Sequence, residues 1–190
     1  MKKGKIFIIS GPSGSGKTTL HNKLLADPYF RKRLVKSISV TTRSRRKGEV
    51  NGRDYIFVTP KMFDYKVRAN HFLEWEKVFS NCYGTPQKNV CDLLNHGQHV
   101  LLCIDVKGAR KVYRRFKSAV TIFIKTPTWD DLKQRLKERD TDDAETIALR
   151  LKVAKEELLE AKNYKHVIVN DNVERAAEQL KIIIRNELPE

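Results

Sequence analysis

The sequence has little of two features that mark secreted and membrane proteins. Cysteine occurs three times in 190 residues, and Cys82, Cys91 and Cys103 show no paired spacing, so no disulfide framework is indicated. No apolar run approaches the length of a membrane span, and the best, Val100 to Ile104, ends at Asp105. We therefore expect a cytoplasmic protein with reduced thiols and no membrane partner.

Acidic residues are also few relative to basic ones. The chain has 38 lysines and arginines against 23 aspartates and glutamates, which gives a formal net charge of +15. Such a charge favours polyanions such as nucleotides, nucleic acid or anionic lipid, although a basic solvated surface accounts for much of it equally well. Because aromatic and basic residues do not alternate and no binding helix is evident, we expect no nucleic-acid partner. The sequence does not decide between a monomer and a homo-oligomer.

Glycine is scarce too, yet three of the nine glycines fall in one stretch of eight residues. Residues 11–18 read Gly-Pro-Ser-Gly-Ser-Gly-Lys-Thr, a complete GxxxxGKT pattern between the apolar run Ile6–Ile9 and a helical stretch. In this pattern backbone N–H groups and the helix N-terminus hold phosphate oxygens, while Lys17 reaches the outer phosphates. The hydroxyl of Thr18 is a candidate ligand of Mg²⁺, so the stretch predicts a magnesium-nucleotide site.

The apolar pattern predicts buried strands that alternate with helices, which indicates an α/β fold with a parallel sheet core flanked by helices. Two excursions interrupt it. The first contains a strand over residues 55–59, a helix over 60–69, a strand over 72–78 and a turn over 81–86, with a helix over 87–95 after them. The second is a loop over residues 137–143 without one apolar side chain, followed by an amphipathic helix; we expect this loop to be mobile.

The basic, turn-rich stretch from Thr41 to Asp54 calls for an anionic ligand. Arg43 and Arg46 stand among hydroxyl residues, which favours phosphate contact. If the acceptor is itself a phosphate, it needs no general base, because its second pKa of about 6 leaves it mostly dianionic at neutral pH. Catalysis then depends on neutralising charge. The candidate catalytic residues are Lys17, Arg43, Arg46, Arg139 and Arg150.

Two carboxylates stand out. Glu74 lies between Leu73 and Trp75, where a charge is costly unless it meets donors. Guanine offers adjacent N1–H and N2–H₂ donors that a carboxylate can accept, whereas adenine does not; a structural salt bridge explains Glu74 equally well. Asp105 closes a wholly apolar strand, so it either faces the cleft, on the magnesium or the substrate side, or caps the next helix.

Residues 39–55, Ser-Val-Thr-Thr-Arg-Ser-Arg-Arg-Lys-Gly-Glu-Val-Asn-Gly-Arg-Asp-Tyr, resemble the signature of guanylate kinases. The resemblance continues through Phe72-Leu73-Glu74-Trp75, Tyr83-Gly84-Thr85, Ile104-Asp105 with Gly108, and residues 167–171. It runs nearly end to end and includes the phosphate loop. The long basic signature is far more specific than the phosphate loop alone.

The resemblance implies a P-loop nucleoside monophosphate kinase that uses Mg²⁺ and transfers the γ-phosphoryl group of ATP to GMP. Its core would comprise residues 4–36, 98–130 and 160–190, its GMP-binding subdomain residues 37–97, and its mobile lid residues 131–159. ATP would contact Gly11, Pro12, Ser13, Gly14, Ser15, Gly16, Lys17, Thr18, Thr19, Arg135, Arg139 and Asn170. GMP would contact Ser39, Arg43, Arg46, Tyr55, Glu74, Tyr83, Thr85 and Asp105. Arg150 would join the closing lid, and Thr18 would bind the metal.

Four residues depart from the family pattern. Cys103 stands where an acidic residue is usual, Lys107 replaces a usual Gln, Asp140 a usual lid Gly, and Val40 a polar residue. None removes a residue needed for transfer. Two other functions stay open: a non-catalytic guanylate-kinase-like domain that binds a partner peptide, and a basic P-loop ATPase that acts on nucleic acid.

Overall fold

The computed structural model describes residues 3–138 and 144–188. Its strands are β1 (Ile6–Ser10), β2 (Leu34–Lys36), β3 (Val40–Thr41), β4 (Ile56–Phe57), β5 (Phe72–Val78), β6 (Asn81–Pro86), β7 (His99–Cys103), β8 (Val120–Lys125) and β9 (His166–Val169). Its α-helices are α1 (Lys17–Ala26), α2 (Pro28–Arg31), α3 (Pro60–Arg68), α4 (Gln87–Asn95), α5 (Val106–Arg115), α6 (Trp129–Lys137), α7 (Ala144–Leu159) and α8 (Val173–Glu187). A 3₁₀ helix, Glu160–Asn163, follows α7.

The core is a parallel sheet in the order β2-β7-β1-β8-β9, with helices on both faces. Successive side chains of β1 point to opposite faces of the sheet. Phe7 and Ile9 therefore pack in a cluster with residues of α1 and α8, whereas Ile6 and Ile8 pack with residues of α4 and α5. The predicted α/β fold with a helix-flanked parallel sheet is confirmed.

A second, four-stranded sheet in the order β4-β3-β6-β5 lies in the first excursion. Strand β6 is antiparallel to both β3 and β5, and the stacked rings of Phe63 and Phe72 join α3 to this sheet. The prediction of a turn over residues 81–86 is wrong, because this segment is strand β6. The turn is shorter: Val78 pairs with Asn81, so only Phe79 and Ser80 connect the two strands.

The candidate functional site lies at the carboxyl ends of β1 and β7. Parallel strands end at the same edge of their sheet, where α/β proteins bind ligands. Strand β1 leads into residues 11–16, and β7 leads through Ile104 to Asp105.

Helices α6 and α7 pack on each other through Leu132, Leu136 and Ala154. Arg139 and Asp140, both predicted in the lid, lie outside the described residues, and within the described ranges no helix is long and apolar enough to cross a membrane.

Candidate active site

The phosphate loop, residues 11–18, requires glycine at its turning points. Gly11, Gly14 and Gly16 have φ angles of 140°, 87° and 91°, a region that side chains disfavour. A Cβ atom on Gly11 would lie 2.1 Å from the carbonyl oxygen of Ile124, and one on Gly16 would lie 2.2 Å from Nδ2 of Asn170. The loop thus packs directly against the ends of the neighbouring strands.

Lys17 begins α1 and folds back over the loop. Its Nζ atom donates to the carbonyl oxygens of Gly11 and Pro12 at 2.6 and 2.9 Å. Thr18 and Thr19 follow on the same first turn of α1, and both line the cleft. A cation and a hydroxyl therefore lie beside the N-terminus of the helix, the arrangement that binds a nucleotide phosphate and its metal.

Asn170 and Arg135 lie behind the loop. Asn170 is 1% exposed, and its Nδ2 atom donates to the carbonyl oxygen of Ser15 at 2.8 Å. Arg135, on α6, donates to the carbonyl oxygen of Asn170 at 2.9 Å. These two predicted ATP contacts form a chain of hydrogen bonds that supports the loop from the side of β9.

Glu49 organises the basic stretch, a role that its place in the signature did not reveal. Its Oε1 atom accepts from Nη2 of Arg43 at 2.7 Å, and its Oε2 atom accepts from the backbone N–H of Arg46 at 2.8 Å. Burial alone would raise the pKa of Glu49, but these hydrogen bonds hold it below its usual range. Both arginines line the cleft, and the guanidinium carbon of Arg43 lies 5.4 Å from the ring centroid of Tyr55.

Tyr55 and Tyr83 form one wall of the acceptor side. Their ring centroids are 6.0 Å apart in an edge-to-face arrangement, and both rings line the cleft together with Ser39. Burial raises the pKa of Tyr55 to about 12, so its hydroxyl stays protonated and can donate to phosphate. The predicted phosphate-binding residues of the acceptor side are thus brought together.

Glu74 points from β5 into the cleft. Its Oε1 atom accepts from the hydroxyl of Thr85 at 2.5 Å, while Lys111, on α5, pairs with Glu76 at 2.7 Å. Burial raises the pKa of Glu74 to about 7 against the effect of Thr85, and the charge of Asp105 adds to the increase. Among the described residues Glu74 forms no salt bridge, although the charge of Lys111 lowers its pKa, so the structural salt bridge that the sequence left open is not seen there.

Asp105 meets both of its predicted alternatives. Its Oδ1 atom accepts from the backbone N–H of Gly108 at 2.9 Å, so it caps α5, and the residue also lines the cleft. Gly108 is a positioning residue that only the resemblance hinted at. A Cβ atom there would lie 2.6 Å from Oε2 of Glu74, so the glycine allows α5 to approach the carboxylate.

Two further residues that line the cleft were not predicted as site residues. Glu157, on α7, lines the cleft, and burial raises its pKa to about 7, with the charges of Lys17 and Asp105 acting in opposite directions. Cys103, at the end of β7, lines the same cleft, and burial raises the pKa of its thiol. A neutral thiol therefore stands where the family usually has a carboxylate.

A single cleft of about 410 Å³ joins the donor and acceptor residues. Of the predicted site residues, those that line it are Gly11, Ser13, Gly14, Gly16, Lys17, Thr18, Thr19, Ser39, Arg43, Arg46, Tyr55, Glu74, Tyr83, Asp105 and Arg150. Thr85 is linked to the cleft by its hydrogen bond to Glu74. The backbone carbonyl oxygens of Pro12 and Ser15 accept hydrogen bonds from Lys17 and Asn170. Arg135 and Asn170 support the loop from behind, and Arg139 lies outside the described residues.

A phosphate loop at the end of a parallel sheet, facing a basic pocket in the same cleft, defines a P-loop nucleotide phosphotransferase. The guanylate kinase family model matches residues 3–187. A guanylate kinase of Novosphingobium aromaticivorans is 42% identical over 98% of this chain and 83% of its own length, and one of Nitratidesulfovibrio vulgaris is 45% identical over 95% and 86%. The crystal structure of guanylate kinase from Anaplasma phagocytophilum has a TM-score of 0.81 at 35% identity and covers 100% of this chain and 89% of that one. The chain belongs to the guanylate kinase family, the ATP-dependent kinases of GMP.

Proposed function

We propose that this chain transfers the γ-phosphoryl group of Mg-ATP to GMP, and by the same contacts to dGMP, within the cleft described above. The observation that carries the proposal is that one cleft contains both Lys17 of the phosphate loop and the buried carboxylate of Glu74. ATP would occupy the loop side, and GMP the side of Arg43 and Tyr55. The complete phosphate loop, with Lys17 and Thr18, argues against a peptide-binding domain.

Charge neutralisation, rather than base catalysis, accounts for the chemistry. A GMP phosphate with a second pKa of about 6 is already a nucleophile at neutral pH. The barrier is the approach of two polyanions, and guanidinium forks that grip phosphate oxygens lower it. Arg43 and Arg46 would hold the acceptor phosphate, whereas Lys17 would exchange its two carbonyl partners for phosphate oxygens. Arg139 and Arg150 would complete the cationic set.

The residues at the loop fit Mg²⁺ bound mainly through the nucleotide. Thr18 supplies one hydroxyl at the start of α1, in keeping with a cation that prefers phosphate oxygens and water. The neutral thiol of Cys103 adds no anionic ligand. When bound, the ion would neutralise charge on the outer phosphates. Thr18 would orient that complex, and the chain's own arginines would supply the remaining positive charge.

Guanine selection would rest on Glu74, Thr85 and Asp105. The hydroxyl of Thr85 holds Oε1 of Glu74, and the carboxylate would accept the donor pair of the base. Guanine presents two adjacent donors on this edge, whereas adenine presents an acceptor at N1. An adenine base would therefore leave a buried carboxylate facing a lone pair, which is unfavourable.

The direct test is an ADP-release assay with ATP, Mg²⁺ and each of GMP, dGMP, AMP, CMP and UMP. Turnover with GMP and dGMP only is expected. Equal turnover with AMP would refute the role of Glu74, and ADP release that RNA or DNA stimulates but GMP does not would indicate the nucleic-acid ATPase instead. We further propose a cytoplasmic location, a core of residues 4–36, 98–130 and 160–190, a GMP-binding subdomain of residues 37–97, and a lid of residues 131–159.

A further inference from the structure

The turn between β5 and β6 contains an unfavourable backbone geometry. Phe79 has a φ angle of 57°, and among the described residues only Asn70 is another non-glycine residue with positive φ. It is the first of the two residues in this turn, a position where hairpins favour glycine. Bulky side chains rarely adopt this conformation, so the surrounding structure must stabilise it; such positions concentrate at functional sites.

The side chain of Phe79 contacts the helix that carries a predicted catalytic arginine. The guanidinium carbon of Arg150, on α7, lies 5.2 Å from the centroid of the Phe79 ring. A cation at this distance from an aromatic face is attracted by the negative charge of the ring face. Phe79 lies in the turn between two strands of the second sheet and Arg150 in the predicted lid, so the contact joins the two excursions of the fold.

Both residues line the cleft that also contains the phosphate loop. Arg150 shares one face of α7 with Val153 and Glu157, because these residues are three and seven positions apart, and all three line the cleft. The contact between the ring of Phe79 and the guanidinium of Arg150 therefore lies at the cleft. An aromatic ring packs on the face of a guanidinium and fixes its plane, whereas the N–H donors lie at the edge of that plane.

We propose that Phe79 is a positioning residue for phosphoryl transfer, and that its strained turn conformation holds the ring against Arg150. The inference rests on the proposed function, in which Arg150 contacts the transferring phosphoryl group. A residue that adopts positive φ without strain would fit the turn better at position 79. It would, however, lack the ring that contacts Arg150. Stability and transfer rate should therefore respond in opposite directions to one substitution.

The decisive variant is Phe79→Gly, with Phe79→Asn as a second variant, because both residues tolerate positive φ and neither carries a ring. The melting temperature should stay the same or rise. The single-turnover rate of transfer from ATP to GMP, followed by rapid quench, should fall about tenfold. The KM values for ATP and GMP should change less than about twofold, since the ring acts on the transferring group rather than on binding. Phe79→Tyr should restore the rate.

Two controls separate this role from a structural one. Asn70→Gly changes the other positive-φ position, which lies outside the cleft, and should leave the transfer rate unchanged. In an Arg150→Met background, Phe79→Gly should cause no additional loss, because both changes remove one interaction. An unchanged rate in Phe79→Gly, or an additive loss in the double variant, would overturn the inference. If the wild-type chain itself fails to transfer phosphate to GMP, the proposed function fails first.

Discussion

The hydroxyl of Thr85 donates a hydrogen bond to Oε1 of Glu74 at 2.5 Å, between paired residues of β5 and β6. This bond fixes one oxygen of a carboxylate that is 6% exposed and lacks a cationic partner at bonding distance among the described residues. The carboxylate is consequently poised between its two protonation states, since burial raises its pKa to about 7. The affinity for guanine should depend on this balance.

Glu74 predicts a pH dependence of GMP binding. The ionised carboxylate accepts the guanine donors, so affinity should rise as pH increases through about 7, the pKa of the unliganded group. Calorimetric dissociation constants for GMP at pH 6.5, 7.5 and 8.5 would measure the rise. Glu74→Gln cannot ionise and should bind more weakly, with a smaller rise between pH 6.5 and 7.5, because only the second ionisation of the GMP phosphate remains. A parallel rise in this variant would assign the effect to another group.

A substitution at Gly108 should weaken guanine binding indirectly, through its contact with Glu74. In Gly108→Ala the new methyl group would lie 2.6 Å from Oε2 of Glu74, so the flexible carboxylate must move. We expect the KM for GMP to increase about tenfold while the KM for ATP stays constant, as for one lost charged hydrogen bond. Alanine favours helix over glycine, so the melting temperature of this helix variant should not fall through propensity. Equal KM values for GMP in the variant and the wild type would show that Glu74 moves without loss of guanine binding.

Glu49 predicts a positioning effect on the acceptor phosphate. Removing the carboxylate in Glu49→Ala releases Nη2 of Arg43 and the backbone N–H of Arg46 at the same time. We expect the KM for GMP to rise about tenfold and kcat to fall less, because two phosphate contacts lose orientation but not charge. Glu49→Gln keeps one acceptor oxygen and replaces the other with an NH₂ donor, so it should retain one of the two hydrogen bonds and lose less. Steady-state kinetics in GMP at saturating ATP distinguish the two variants.

His21 predicts acid sensitivity of the fold. The ring is 2% exposed on α1, and burial lowers its pKa to about 4. The unfolded chain protonates this group near its usual pKa of 6.5, so its contribution to stability is complete above about 6.5 and declines as pH falls towards 4. The loss should reach at most about 3 kcal/mol. Urea unfolding of the wild type and of His21→Gln between pH 7.5 and 4.5 measures this loss. If the free energy of unfolding varied with pH equally in both proteins, His21 would not be the group responsible.

Periodic burial made the core predictable. The apolar runs 6–9 and 100–104 are buried strands at the centre of a parallel sheet, and the helix predicted over residues 87–95 has those bounds. The pattern failed at residues 81–86, because Asn81, Gly84 and Pro86 resemble turn residues although the segment pairs with β5. Pairing between strands depends on partners elsewhere in the chain, and local composition does not contain that information.

The candidate site was predictable where chemistry requires unusual residues. Glycines in a phosphate loop and a lone carboxylate in an apolar strand are costly unless they serve a ligand, so they are visible in one sequence. Glu49, Glu157 and Phe79 were missed because their positions beside Arg43, in the cleft and against Arg150 arise only when the chain folds. The backbone strain at Phe79 leaves no trace in composition, since phenylalanine is common in a strand.

The support of the phosphate loop by Asn170 has a consequence for how the enzyme is made. The two ends of the hydrogen bond between Asn170 and Ser15 are 155 residues apart, so most of the chain must be synthesised before the bond can form. Contacts of such high sequence separation form late, because the intervening chain must first be ordered. A nascent chain on the ribosome therefore acquires its finished nucleotide loop only after β9 has emerged and docked. Incomplete products that end before this strand would lack the loop's rear support, and with it a fully formed place for ATP.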